Sequence, residues 1–177
     1  MRFLVKQEKN GDLRKDARIM EFNAVINRVF QDDPEARRRN LRLRTYSVVC
    51  LNEECGLLEW VNHTSHLRSL IQQSHLSKGS PTPFLLNKDV FESLKRAQEE
   101  YALTNLDALS SMFQQCALDK YKPYFHRWFI DQFHDPTQWL DARTAFTRST
   151  AVWSAVGHIV GLGDRHTENI LLDVTNG

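Results

Sequence analysis

Asp164 and Asn169 stand five positions apart in the stretch "GLGDRHTENILLD", residues 161 to 173, with His166 between them. A carboxylate, an imidazole and an amide in a polar loop between two apolar runs suit the transfer of a phosphoryl group. The carboxylate can line up an attacking hydroxyl and accept its proton. The amide oxygen can hold a hard cation that neutralises charge developing on phosphates. His166 can donate to the transferring group or assist the proton transfer.

Such groups act only where the chain holds them rigidly. Ahead of the loop, Trp139, Ala142, Phe146, Val152, Val156, Ile159 and Val160 recur at helical spacing, and Asp135 before Pro136 predicts an N-cap with proline at the first helical position. A long, central, buried helix is expected, ending at "GLG", where Gly161 and Gly163 allow backbone angles that other residues resist. After the loop, "ILLDV" predicts a strand and "TNG" a hairpin turn. A hairpin turn closing the sequence is expected to lead into a further strand, so the chain reads as part of a larger domain.

The first third is built differently. "RFLV" predicts a strand that delivers Lys6, and Ile19, Phe22, Ile26 and Val29 form the apolar stripe of an amphipathic helix, widened by Met20, Val25 and Phe30. "LRTYSVVCL" and "GLLEWV" predict two further strands about the turn-like "NEECG". From "HLRSLI" onward the pattern is helical, broken by the loop "SKGSPTP" and by Pro123.

Composition adds limits. Apolar residues make up 41% and charged residues 25% of 177, an ordinary globular balance, and no apolar run approaches the roughly 18 residues that cross a bilayer. The formal charge of +1 selects no class of partner. Cys50, Cys55 and Cys116 have neither disulfide parity nor metal-knuckle spacing and read as idle thiols. Arg37, Arg38 and Arg39 read as a solvated basic face in preference to a nucleic-acid contact or import signal. His63, His66, His75, His126 and His134 have no metal-ligand spacing and receive no role.

Protein kinases set an Asp and an Asn at this same separation in H-R-D-x-x-x-x-N; here the order is D-R-H. That order and its neighbours carry a resemblance. "GLGDRHTENIL", preceded by "TRSTAVWSAVGHIV", resembles the catalytic loop and preceding helix of the phosphatidylinositol-3-kinase-related protein kinases, most of all their ATR-type checkpoint branch. "DLRKDARIMEFN", "TYSVVCLNEECGLLEWV" and "FHDPTQW" resemble further segments of that branch in the same order, while residues 74 to 120 match poorly.

The resemblance implies roles for several residues. Lys6 would pair with nucleotide phosphates, where the residues alone suggest an exposed lysine at a strand end. Asp16 would orient that lysine, a role compatible with the plainer one of helix N-cap. "GLLEWV" would form the hinge between two lobes, with main-chain groups of Glu59 and Val61 bonding adenine and Trp60 packing on it. Tyr46 would line the back of the pocket and Leu171 its floor; for Trp60 and Tyr46 the plainer reading is core packing. Asp164 and His166 would be catalytic and Asn169 a metal ligand.

The expected fold class is α+β, a partial two-lobed kinase-like fold truncated at both ends. Residues 1–61 would form part of the small lobe through the hinge, and residues 62–177 the larger, mainly helical lobe through the catalytic loop, ending before a DFG-like motif. The resemblance further implies ATP with Mg2+, or Mn2+ in its place. It implies protein substrates phosphorylated at Ser or Thr followed by Gln, an ATR-interacting regulatory subunit, a nuclear location and only indirect contact with DNA. Two alternatives stand beside this reading: a phosphatidylinositol-type lipid kinase, and a non-catalytic pseudokinase or interaction module.

Overall fold

The computed structural model describes residues 2–9, 12–76, 83–101, 105–119 and 122–177. Strand β1 (Phe3–Gln7) is followed by helices α1 (Arg14–Asp32) and α2 (Pro34–Arg38), and then by strands β2 (Val48–Cys50), β3 (Cys55–Glu59) and β4 (Thr64–His66). Helices α3 (Leu67–Leu76), α4 (Pro83–Tyr101), α5 (Leu106–Phe113), α6 (Phe125–Gln132) and α7 (Pro136–Val160) come next, and strand β5 (Leu171–Asp173) follows. The fold is mixed α+β and rich in helix, as expected. The loop read in "SKGSPTP" falls almost wholly outside the described residues, as does the side chain of Cys116. No described helix is long and apolar enough to cross a membrane.

Strands β1, β3 and β2 form an antiparallel sheet with β3 in the middle, and Lys6 lies opposite Gly56. A Cβ at position 56 would sit 2.3 Å from Leu13 Cδ2 and 2.5 Å from the Val49 carbonyl oxygen. Glycine therefore lets the fully buried Leu13 rest on the strand, and Leu13 fixes where α1 begins. The strand expected over "LRTYSVVCL" shrinks to Val48–Cys50, and residues 41–47 carry no regular structure. Asn27 explains part of this. Its amide donates to the Leu43 carbonyl at 2.8 Å and its carbonyl accepts the Leu43 N–H at 2.7 Å, taking both groups a ladder would use.

Helix α1 also corrects an expectation. Phe22, Val25 and Val29 of its apolar stripe are exposed, whereas Asn23 is buried. The helix faces the rest of the molecule partly with the polar residues Asp16 and Asn27, because Lys6 and Leu43 need partners there, whereas the buried Asn23 amide nitrogen has no hydrogen-bond partner among the described residues. Asp16 is not the N-cap. Leu13 occupies that position and Asp16 lies in the first turn, its carboxylate turned to Lys6.

Helix α7 starts and ends where the sequence indicates. Asp135 accepts the Gln138 N–H at 2.9 Å, and Gly161 closes the helix in the left-handed conformation at φ 66. It is central without being enclosed: Ala142, Val152 and Val156 are buried, but Ile159 is 79% exposed. Its buried stripe enters two cores. One gathers Leu70, Trp128, Phe129, Phe133, Ala142 and Leu172 from α3, α6, α7, β5 and the turn after α6. The other joins Val152 and Val156 to Leu43, with Ile26 and Phe30 of α1 packed alongside. One helix thus supports both the β1–α1 region and the segment that precedes residues 161–170.

Strand β4 has no counterpart in the sequence reading. Thr64–His66 is short and polar, and it is a strand because β5 pairs with it, Ser65 lying opposite Leu172.

Candidate active site

The loop between α7 and β5 is held from inside. Asp164 adopts a left-handed backbone at φ 59, uncommon outside glycine, and Asn169 ties it down. The Asn169 side-chain amide donates to the Asp164 carbonyl at 3.0 Å and to its carboxylate at 2.7 Å. The Asn169 N–H returns to the His166 carbonyl at 2.9 Å. His166 receives the Glu168 main-chain N–H at Nδ1, 3.2 Å away, which requires a lone pair there and puts the proton of the neutral ring on Nε2. That Nε2 faces the Asp164 carboxylate at 3.5 Å, and both side chains are at least half exposed. Asp164 and Asn169 are thus hydrogen-bonded to each other, and His166 stands beside the same carboxylate, open to solvent.

The loop is also held from outside, by residues to which sequence reasoning assigned nothing. His66 Nδ1 donates to the Glu168 carbonyl at 2.6 Å, and the Arg68 guanidinium pairs with the Glu168 carboxylate at 3.3 Å. The first N–H groups of α3, which have no partner within a helix, find loop carbonyls: Leu67 donates to Ile170 at 2.9 Å and Arg68 to Thr167 at 3.0 Å. A three-residue polar strand gives no periodic signal, so nothing in the sequence marks His66 as an anchor.

On the other side, Lys6 Nζ lies 2.8 Å from Asp16 and 2.6 Å from Glu8. Burial lowers the affinity of the Lys6 amine for its proton. The hydrogen bonds and charges of Asp16 and Glu8 outweigh this and raise its pKa above the ordinary lysine value. Glu8 is two residues beyond Lys6, hence on the same face of an extended chain, a signal present in the sequence and not used. Burial raises the Tyr46 phenol, with Asp16 adding to the rise and Lys6 and Arg165 opposing it. This phenol thus feels charges from β1, α1 and the 161–170 loop together.

Tyr46, Glu59, Trp60 and Val61 line one cavity of about 320 Å³ with Arg44, Thr45, Asn62 and His63. Trp60 is half exposed, which removes core packing as its explanation, and Leu171 is exposed to the same degree. Leu171 lies on β5 opposite His66 and is not among the residues that line this cavity. Arg37, Arg38 and Arg39 form an exposed face, with Arg38 and Arg39 paired to Glu35.

The chain's donors fit a hard divalent cation. The Asn169 amide nitrogen is engaged by Asp164, which leaves its carbonyl oxygen as a ligand. No group of three or more His, Cys, Asp or Glu side chains among the described residues could hold a metal ion. A hard divalent cation here would be held by one or two protein oxygens, with phosphate and water for the rest.

Comparison with known proteins finds relatives along nearly the whole chain. A family model described as "Phosphatidylinositol 3- and 4-kinase" matches residues 3–177. The chain is 46% identical over 178 residues to "Serine/threonine-protein kinase ATR" of Oryza sativa subsp. indica, covering 99% of this chain and 6% of the relative. It is 43% identical over 175 residues to "Protein kinase rad3" of Schizosaccharomyces pombe, covering 99% of this chain and 7% of the relative. Among solved structures, "FAT and kinase domain of CtTel1" superposes with a TM-score of 0.80 at 32% identity, over 99% of this chain and 12% of that one. The chain thus spans a small part of the length of the curated relatives it matches.

Proposed function

Because the chain belongs to the phosphatidylinositol 3- and 4-kinase family, we propose that it carries the nucleotide cleft and catalytic loop of an ATR-type serine/threonine protein kinase. The reaction is transfer of the ATP γ-phosphate to a protein hydroxyl. One observation carries this reading: the Asn169 amide is hydrogen-bonded to the Asp164 carboxylate, and the His166 imidazole stands 3.5 Å from that same carboxylate within the 161–170 loop. The rice and fission-yeast relatives are both protein kinases, which supports a protein over a lipid as acceptor. In this reading residues 1–61 are part of the small lobe through the hinge, and residues 62–177 are the larger lobe through the catalytic loop.

Asp164 lines up the acceptor hydroxyl and takes its proton, and its carboxylate stays oriented because Asn169 donates to it. His166 presents its Nε2 proton beside the same carboxylate, placed to donate to an oxygen of the transferring group. Asn169 offers its remaining oxygen to Mg2+, or to Mn2+ in its place, and the cation supplies charge neutralisation when bound. Lys6 binds phosphate oxygens, oriented by Asp16 and Glu8.

The hinge offers an acceptor and a donor two residues apart. The Glu59 N–H goes to Ser47, the Trp60 N–H to Arg2, and the Val61 carbonyl accepts from Thr64. The Glu59 carbonyl and the Val61 N–H, without a partner among the described residues, are left to meet a base that shows an amine donor beside a ring acceptor. Adenine has that order and guanine the reverse. Tyr46 and Trp60 enclose the ring, and the floor role of Leu171 rests on the family resemblance, since Leu171 stands outside the lining of that cavity. Substrate sites with Gln after Ser or Thr, an ATR-interacting regulatory subunit, a nuclear location and indirect recruitment to DNA belong to the same proposal.

The test uses the full-length protein with labelled ATP, a Ser-Gln peptide, its Ser-Ala counterpart and phosphatidylinositol vesicles. Label is expected on the Ser-Gln peptide, and Asp164→Ala should abolish it. Label confined to phosphatidylinositol would establish the lipid-kinase alternative, and nucleotide binding without transfer to either acceptor would establish the non-catalytic one.

A further inference from the structure

Opposed residues of a hydrogen-bonded antiparallel pair normally exchange both main-chain bonds. Glu59 and Ser47, opposed by the register of β3 on β2, exchange only one. The Glu59 N–H donates to the Ser47 carbonyl at 2.8 Å, but the Ser47 N–H turns to the Glu59 carboxylate, 2.9 Å from Oε2. The side chain of Glu59 has taken the donor that the ladder would give its own carbonyl. Beyond this point the two chains part, and the cavity of about 320 Å³ opens between residues 44–46 and 59–63.

We propose that the Glu59 carboxylate is a positioning residue that keeps the hinge carbonyl available to a nucleobase amine and ends the β2–β3 ladder where the cavity must open. A charged acceptor outcompetes a neutral carbonyl for one N–H, so the Ser47 donor stays on the side chain. With the carboxylate gone, the Ser47 N–H returns to the Glu59 carbonyl, the ladder extends by one bond, and the mouth of the cavity narrows. The selectivity for an amine at that edge of the base then falls. The inference rests on the nucleotide-binding reading above and adds to it a side chain whose effect is on base selectivity.

The experiment measures equilibrium binding of ATP and of inosine triphosphate, which carries a carbonyl oxygen where adenine has its amine, to full-length wild type, Glu59→Ala, Glu59→Asp and Glu59→Gln. Wild type is expected to prefer ATP. Glu59→Ala, and Glu59→Asp whose shorter chain cannot reach Ser47, should lower the ATP-to-inosine ratio by about five- to tenfold, the scale of one hydrogen bond. Glu59→Gln keeps an acceptor in reach but loses the charge that outcompetes the carbonyl, so it should lower the ratio less than Glu59→Ala does. A residue that merely stabilises the strand would weaken both nucleotides alike, so an unchanged ratio in Glu59→Asp overturns the inference even where Glu59→Ala does not fold. Wild type that binds ATP without any preference also overturns it while leaving nucleotide binding intact. Wild type that binds neither nucleotide removes the nucleotide-binding reading and this inference with it.

Discussion

Arg44 and Asp173 are 129 positions apart in the chain and form an ion pair at 2.5 Å that joins the segment before β2 to the end of β5. Asp173 is the better buried partner, with only 12% of its side chain exposed. Burial pushes its carboxyl up, but hydrogen bonds from Thr175 and Arg44 and the Arg44 charge outweigh this and hold it below the usual carboxylate value. A depressed folded-state pKa stabilises above the unfolded value of 3.8, and that stabilisation is lost as pH falls through the folded value. Arg44→Ala should cost about 1–3 kcal/mol near neutral pH. Melting curves of both proteins between pH 2 and 6 should converge at the acid end, and a constant gap across that range would remove the pair from the explanation.

Asp164 and Asn169 should fail differently although they are bonded to each other. Asp164→Ala is expected to lower turnover by about 10²–10⁴-fold with ATP affinity nearly unchanged, because its carboxylate acts on the acceptor. Asn169→Ala removes a cation ligand and the clamp on Asp164, so its magnesium titration should shift to higher concentration. Turnover against magnesium, measured for both variants, separates the two roles; a wild-type titration for Asn169→Ala excludes it as a ligand.

Lys6 carries a raised pKa through Asp16 and Glu8, which outweigh its burial, so what the cluster adds to stability is fully present below the ordinary lysine value of 10.5 and is lost as pH rises through the folded value. Lys6→Met should therefore narrow its stability gap to wild type between pH 9 and 12. Asp16→Asn should raise the KM for ATP several-fold and change kcat less, because Lys6 keeps Glu8 and loses its tether to α1. Equal effects on both constants would count against an orienting role.

Gly56→Ala tests how β1 is set. The new methyl would meet Leu13 Cδ2 at 2.3 Å and the Val49 carbonyl at 2.5 Å, too close for either to stay. A loss of about 1–3 kcal/mol is expected from the displacement. Lys6 lies opposite Gly56, so ATP affinity should fall along with the melting temperature. Wild-type affinity in a destabilised variant would show that the strand moves without carrying its lysine.

Local structure was legible where neighbours in sequence are neighbours in space. Asp135 and Pro136 at the start of α7, Gly161 at its end, and the polar loop with Asp164, His166 and Asn169 all follow from caps and spacing, because each contact spans five residues or fewer. The pairing of Lys6 with Asp16 was implied by resemblance, and the tertiary fold brings the two groups to 2.8 Å. Other features depend on surfaces that only meet in the folded molecule. Asn23 is buried while Phe22 and Val25 are exposed, because the face of α1 that turns inward is chosen by Lys6, Leu43 and α7 rather than by the helix's own periodicity. Thr64–His66 became a strand only because β5 lies beside it, and His66 became an anchor only because that pairing brings it to the Glu168 carbonyl. Periodicity records which residues resemble their neighbours along the chain; it carries no information about which distant group will supply a partner, and those partners hold the loop in place.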